Sequence, residues 1–150
     1  MDARERLFGS ISAKARQVLV LTEGVIPYLS TEEVGLLATD LFAQRNFRYW
    51  ITDYFSTGFL SYYRRGGLRK RLGPNAPFRF FPDDWEEFFK ESGWSLREMK
   101  YLYDEGVRLS RPPPVSWPLR MIFRLMPPKK RLEMARMTGY GLLERDRLTF

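Results

Sequence analysis

The sequence predicts an α/β fold on three observations. The run Val18-Leu19-Val20-Leu21-Thr22 is continuously apolar and Val-rich, the composition of a strand buried on both faces, as in parallel sheets. An amphipathic helical stripe follows it. A second run, residues 49–54, then combines aromatic and β-branched side chains. Strand, helix, strand in close succession is the pattern of two parallel neighbours joined by a crossover. The length of 150 residues fits one domain, and a hydrophobic content of 44% is enough to build its core.

Over residues 4–16, Leu7, Phe8 and Ile11 fall at helical spacing among basic residues, which predicts a short first helix. After the strand at 18–22, Ser30 stands three residues before Glu33, the capping-box spacing. Val34, Leu37, Leu41 and Phe42 then form the stripe that would lie on the sheet. Residues 56–72 carry Phe59, Leu60, Tyr63 and Leu68 among many cations, with a break expected at Gly66-Gly67. A loop is expected at 73–77. Asp83 is placed to cap a helix whose Trp85, Phe88 and Phe89 read as core, and Gly93 to end it. Residues 94–102 read as a third strand, and Arg111-Pro112-Pro113-Pro114 as a stiff connector. Two short helices, 119–126 and 129–137, and a last strand at 140–144 complete the chain, with Met121, Met126, Met134 and Met137 read as packing.

Composition excludes several chemistries. The chain has no Cys, so disulfide scaffolds, thiol nucleophiles and zinc fingers are out. It has no His, so Ser-His-Asp triads and most transition-metal sites are out. Acid–base work would fall to carboxylates, Tyr or Lys. The absence of cysteine fits the cytoplasm. No apolar run approaches the ~20 residues of a membrane span. The formal charge of +7 favours an anionic partner without identifying one.

The segment Leu19-Val20-Leu21-Thr22-Glu23-Gly24-Val25-Ile26-Pro27-Tyr28-Leu29-Ser30 resembles the leucine carboxyl methyltransferase-like family of S-adenosylmethionine-dependent methyltransferases. Phe80-Phe81-Pro82, the stretch from Trp85 to Trp94, Arg108-Leu109-x-Arg111-Pro112 and Gly139-Tyr140-Gly141-Leu142-Leu143 extend the similarity in order. The resemblance implies a partial Rossmann-like methyltransferase sheet, the second half from about the fourth strand onward. It implies S-adenosylmethionine as cofactor and methyl transfer to an oxygen, a carboxylate among the candidates, of a small-molecule acceptor. The family's Gly-rich first loop, which lets backbone approach the donor, has no counterpart here. Whether the chain is an enzyme by itself is therefore left open. The strand at 18–22 should also present an unpaired edge and uncovered apolar surface. A shortened gene, a separately encoded N-terminal half and self-association are the alternatives for what would complete it.

Three residues carry the site expectation. Glu23, at the carboxyl end of the first strand, is the cofactor-binding candidate, since the matching glutamate of the family contacts the donor. Its alternative role is a carboxylate held by a helix N-terminus. Tyr28 and Asp53 are substrate-pocket candidates, against a core tyrosine and a cap of the segment at Ser56. Arg64, Arg65, Arg69, Lys70 and Arg71 form the densest basic cluster. That leaves the alternative of a non-catalytic module binding nucleic acid or another anion, against a plain solvated face. Arg120, Arg124, Lys129, Lys130 and Arg131 flank Met121, Ile122 and Leu125. This pattern suits a membrane surface or an ordinary covering helix.

Overall fold

The computed structural model describes residues 3–64, 77–111 and 117–146. The chain is mixed α/β, built on one four-stranded sheet. Helix α1 spans Ala3–Ser12, strand β1 Val18–Thr22, helix α2 Thr31–Ala43 and strand β2 Phe47–Phe55. Helix α3 covers Thr57–Arg64, α4 Trp85–Glu91, strand β3 Trp94–Tyr101 and helix α5 Leu102–Arg108. Helices α6, Trp117–Leu125, and α7, Pro128–Ala135, precede strand β4, Thr138–Arg145. Of the loop expected at 73–77 all but Pro77, of the connector at 111–114 all but Arg111, and the whole Gly66-Gly67 break lie outside the described residues.

The sheet order is β1-β2-β4-β3. β1 and β2 are parallel neighbours, with Val20 opposite Trp50 and Thr22 opposite Thr52. β4 is antiparallel to both strands beside it, so β1, β2 and β3 run one way and β4 alone runs back. Gly141 of β4 sits where a Cβ would run into the Trp85 ring, and Gly139 where it would run into the Lys100 carbonyl. These two glycines let the last strand lie flush beneath α4 and against β3.

One face of the sheet holds the core. Val34, Ala38 and Leu41 of α2 and Phe89 of α4 pack with Trp50, Trp94 and Leu143, all fully buried. The tryptophans interlock edge to face, Trp50 with Trp94 at 5.7 Å and with Phe89 at 5.1 Å between centroids. Their indole N–H groups are satisfied: Trp50 donates to Thr22 Oγ1 at 2.9 Å and Trp94 to the Ala38 carbonyl at 3.0 Å. The capping box forms as expected. Ser30 Oγ accepts from the Glu33 amide, and the Glu33 carboxylate accepts from the Ser30 amide. That pairing holds the Glu33 carboxyl below its ordinary range. Gly93 ends α4 at a left-handed φ of +84°, as its position predicts.

Three expectations need correction. β1 is covered on one face only, and there only half-buried: Leu19 and Leu21 on the other face are 55% and 60% exposed. On that face Leu21 lies beside Ile51, Ile51 beside Leu142, and Leu142 beside Glu98, a row over which no helix of the described residues seals β1. An apolar run identifies a strand but carries no mark of which side is covered. The cap of α4 is Asp84, not Asp83; Asp84 Oδ1 accepts from the Glu86 and Glu87 amides. Adjacent aspartates are equivalent by composition, and only backbone geometry separates them. Met121 and Met134 are exposed rather than packed. The unpaired edge does appear: among the described residues β1 hydrogen-bonds only to β2.

Candidate functional site

The turn after β1 organises the carboxyl edge of the sheet. Gly24 takes a φ of +65°, a left-handed conformation that glycine adopts without steric cost. The chain then enters a short 3-10 helix, Ile26–Tyr28, with Ile26 and Pro27 buried. Asp53, near the end of the neighbouring β2, holds this turn: its Oδ2 accepts the Gly24 amide at 2.9 Å, and the Val25 amide also bonds its carboxylate. Asp53 is 8% exposed, and burial raises its carboxyl above the ordinary carboxylate value even against those bonds.

With its backbone held in this way, Glu23 projects to solvent. Its Oε1 accepts the phenol of Tyr140 at 2.9 Å. Tyr140 lies on β4 directly opposite Asp53 in the antiparallel register. Its phenol is pushed up to about 12, first by burial and then by the Glu23 carboxylate it bonds. Two carboxylates and a phenol therefore share one corner of the sheet edge. Such a corner attracts ammonium and hydroxyl donors and repels anions.

Of the sequence candidates, Glu23 and Asp53 come together. Asp53 bonds the turn that carries Glu23 and does not cap the segment at Ser56; the Ser56 hydroxyl itself accepts the Phe59 amide at 3.2 Å. Tyr28 lies on the 3-10 helix, 37% exposed, with its ring edge-to-face on Phe78 at 5.3 Å. Tyr140 is the residue the sequence reading missed. Local pattern could not find it, because it stands 117 positions from its partner. Arg65, Arg69, Lys70 and Arg71 lie outside the described residues.

A cleft of about 380 Å³ opens at the carboxyl ends of β2 and β3, on the face of the sheet opposite the Asp53 and Tyr140 side chains. Tyr54, Trp85 and Tyr101 line it, with Ser56 and Asp83. Trp85 anchors its wall by donating its indole N–H to the Asp53 carbonyl at 3.2 Å. The same Asp53 thus ties the Glu23 turn through its side chain and the cleft wall through its backbone. Ligands of open α/β sheets settle at this edge. Among the described residues no acidic cluster is arranged to hold a metal ion.

No family model matches the chain, and no curated protein matches it. Among solved structures it is similar to magnesium protoporphyrin IX methyltransferase from Synechocystis PCC 6803, determined with bound SAH. The two share 14% identity at a TM-score of 0.45, over 91% of this chain and 48% of the other. The chain thus spans about half the length of that structure.

Proposed function

We propose that this chain forms the second half of an S-adenosylmethionine-dependent methyltransferase sheet, acting on an oxygen of a small-molecule acceptor. The observation that carries the reading is the placement of Glu23. The residue singled out by the Glu23-Gly24 and Tyr28-Leu29 motif projects from the carboxyl edge of the parallel pair, the Gly24 amide after it tied by Asp53 and its carboxylate by Tyr140. An exposed carboxylate held by its neighbours suits the ammonium or hydroxyl groups of the donor. The Gly-rich cradle for the rest of the donor has no counterpart in this sequence. In this reading it comes from a further segment or a second chain.

S-adenosylmethionine, when bound, supplies an activated methyl group. The tasks left to this chain are binding and alignment. Glu23 receives the donor, Asp53 and Tyr140 hold Glu23 in place, and Tyr28 and the aromatic cleft flank the acceptor side. Direct displacement depends on alignment more than on an acid or base, so a chain without histidine suits it. Asp53 serves here as a positioning residue, since its carboxylate is engaged by the turn amides.

Calorimetric titration of the purified chain with S-adenosylmethionine, repeated on Glu23→Gln, tests the reading. The expected result is saturable binding that weakens about tenfold in the variant, the loss of a charge-assisted hydrogen bond. Binding equal in both proteins would remove Glu23 from the site. A folded chain that does not bind the donor, alone or with added N-terminal segment, would overturn the reading.

A further inference from the structure

Helix α6 faces the opposite way from an ordinary covering helix. It meets the body of the protein through Phe123, whose ring lies 5.5 Å from that of Tyr103 on α5. Trp117, Met121 and Leu125 follow at four-residue steps and form one stripe along the helix. At 3.6 residues per turn Met121, the middle of the stripe, stands about 160° around the axis from Phe123. The stripe is accordingly in water: Trp117 is 76% exposed, Met121 49% and Leu125 79%. Trp117 and Leu125 are the most exposed large apolar side chains among the described residues. Leu132 of α7 is exposed as well, at 50%.

Up to Glu133 of α7 the charge of this region has one sign. Residues 117–132 contain Arg120, Arg124, Lys129, Lys130 and Arg131 and no Asp or Glu. Arg124, Lys129, Lys130 and Arg131 are exposed, and none forms an ion pair among the described residues. Aliphatic and indole side chains standing in water beside unpaired cations are what an anionic interface solvates at both ends. We propose that α6 and the start of α7 lie on an anionic lipid bilayer. The stripe Trp117-Met121-Leu125 sits at the boundary of headgroups and acyl chains, and the cations sit on the lipid phosphates. A nucleic acid would use the cations and stack a base on Trp117, but would leave Met121 and Leu125 in water. A second copy would cover the stripe but bring two basic surfaces together. No helix of the described residues is long and apolar enough to cross a membrane.

Sedimentation with vesicles of phosphatidylcholine, with and without phosphatidylglycerol, tests this. The chain should bind the anionic vesicles about tenfold or more tightly than neutral ones and lose that preference in high salt. Trp50, Trp85 and Trp94 are buried, so a blue shift of emission on binding reports Trp117. Trp117→Phe should abolish the shift while sedimentation persists. Met121→Glu with Leu125→Glu should abolish sedimentation with the circular dichroism unchanged, because both side chains are exposed. Lys129→Glu with Lys130→Glu should bring anionic vesicles down to the neutral level. Sedimentation unaffected by both double variants would overturn the proposal. So would absent vesicle binding, whether the chain instead binds single-stranded RNA or forms a dimer that the stripe variant dissolves.

Discussion

Replacing Tyr140 by Phe removes one oxygen from the candidate site and leaves the ring and its packing. The lost bond spans β4 and the β1 turn, phenol to Glu23 carboxylate at 2.9 Å. A hydrogen bond to a charged acceptor is worth about 1.5–3 kcal/mol when shielded from water. Here the acceptor is exposed and the donor only half-buried, so the expected cost is smaller, about 0.5–1.5 kcal/mol. The pH dependence gives the test its sign. The phenol is raised from its ordinary value of 10.0 to about 12, so the folded protein holds this proton more tightly than the unfolded chain. The resulting stabilisation is complete below pH 10 and is lost as the pH rises through about 12. Urea denaturation at a series of alkaline pH values should therefore show the parent losing stability over that window faster than Tyr140→Phe. Near-ultraviolet titration of phenolate absorbance should lose one late-ionising tyrosine in the variant. If the donor binds through a Glu23 held by Tyr140, its affinity should fall about 2- to 12-fold, the same energy read as binding. Parallel stability curves for the two proteins across the window, with the late tyrosine still present in the variant, would refute the reasoning.

Three further outcomes are expected. Thr22→Val keeps the side-chain shape but leaves the buried Trp50 indole N–H without its acceptor; it should cost about 1–3 kcal/mol, read as a lower urea midpoint at unchanged slope. Gly141→Ala places a methyl group against the Trp85 ring. It should destabilise by about 1–3 kcal/mol and alter the emission of the cleft, and an unchanged melting temperature would show that the ring has room to move. Asp53→Asn tests the buried carboxyl. Because burial raises its pKa, its protonated form is the one the fold favours; that contribution is present below the unfolded value near 3.8 and is lost as the pH rises through the higher folded value. The amide can still accept the Gly24 N–H, so the variant should be at least as stable as the parent at neutral pH, with the difference shrinking in acid. A marked loss of melting temperature at neutral pH would mean that the turn amides require the negative charge.

The parallel pair, the capping box at Ser30 and Glu33, the glycine stop at Gly93 and the position of Glu23 after β1 were all legible in the order of residues. Each of these depends on residues close together in the chain, where spacing, propensity and cap chemistry act directly. Tertiary structure decided the rest. Inserting β4 between β2 and β3 brings Tyr140 to Glu23 and sets it opposite Asp53. Strand order is a matter of long-range pairing and leaves no local periodic trace. The covered face of β1 was equally hidden, because Leu19 and Leu21 look as buried in sequence as Val18 and Val20. The same is true of α6. Its apolar residues have the spacing of a packed stripe, and the position of Phe123 against Tyr103 leaves Trp117, Met121 and Leu125 outward. Burial depends on what packs against a residue, and for these residues that partner, or its absence, is fixed only by the tertiary arrangement.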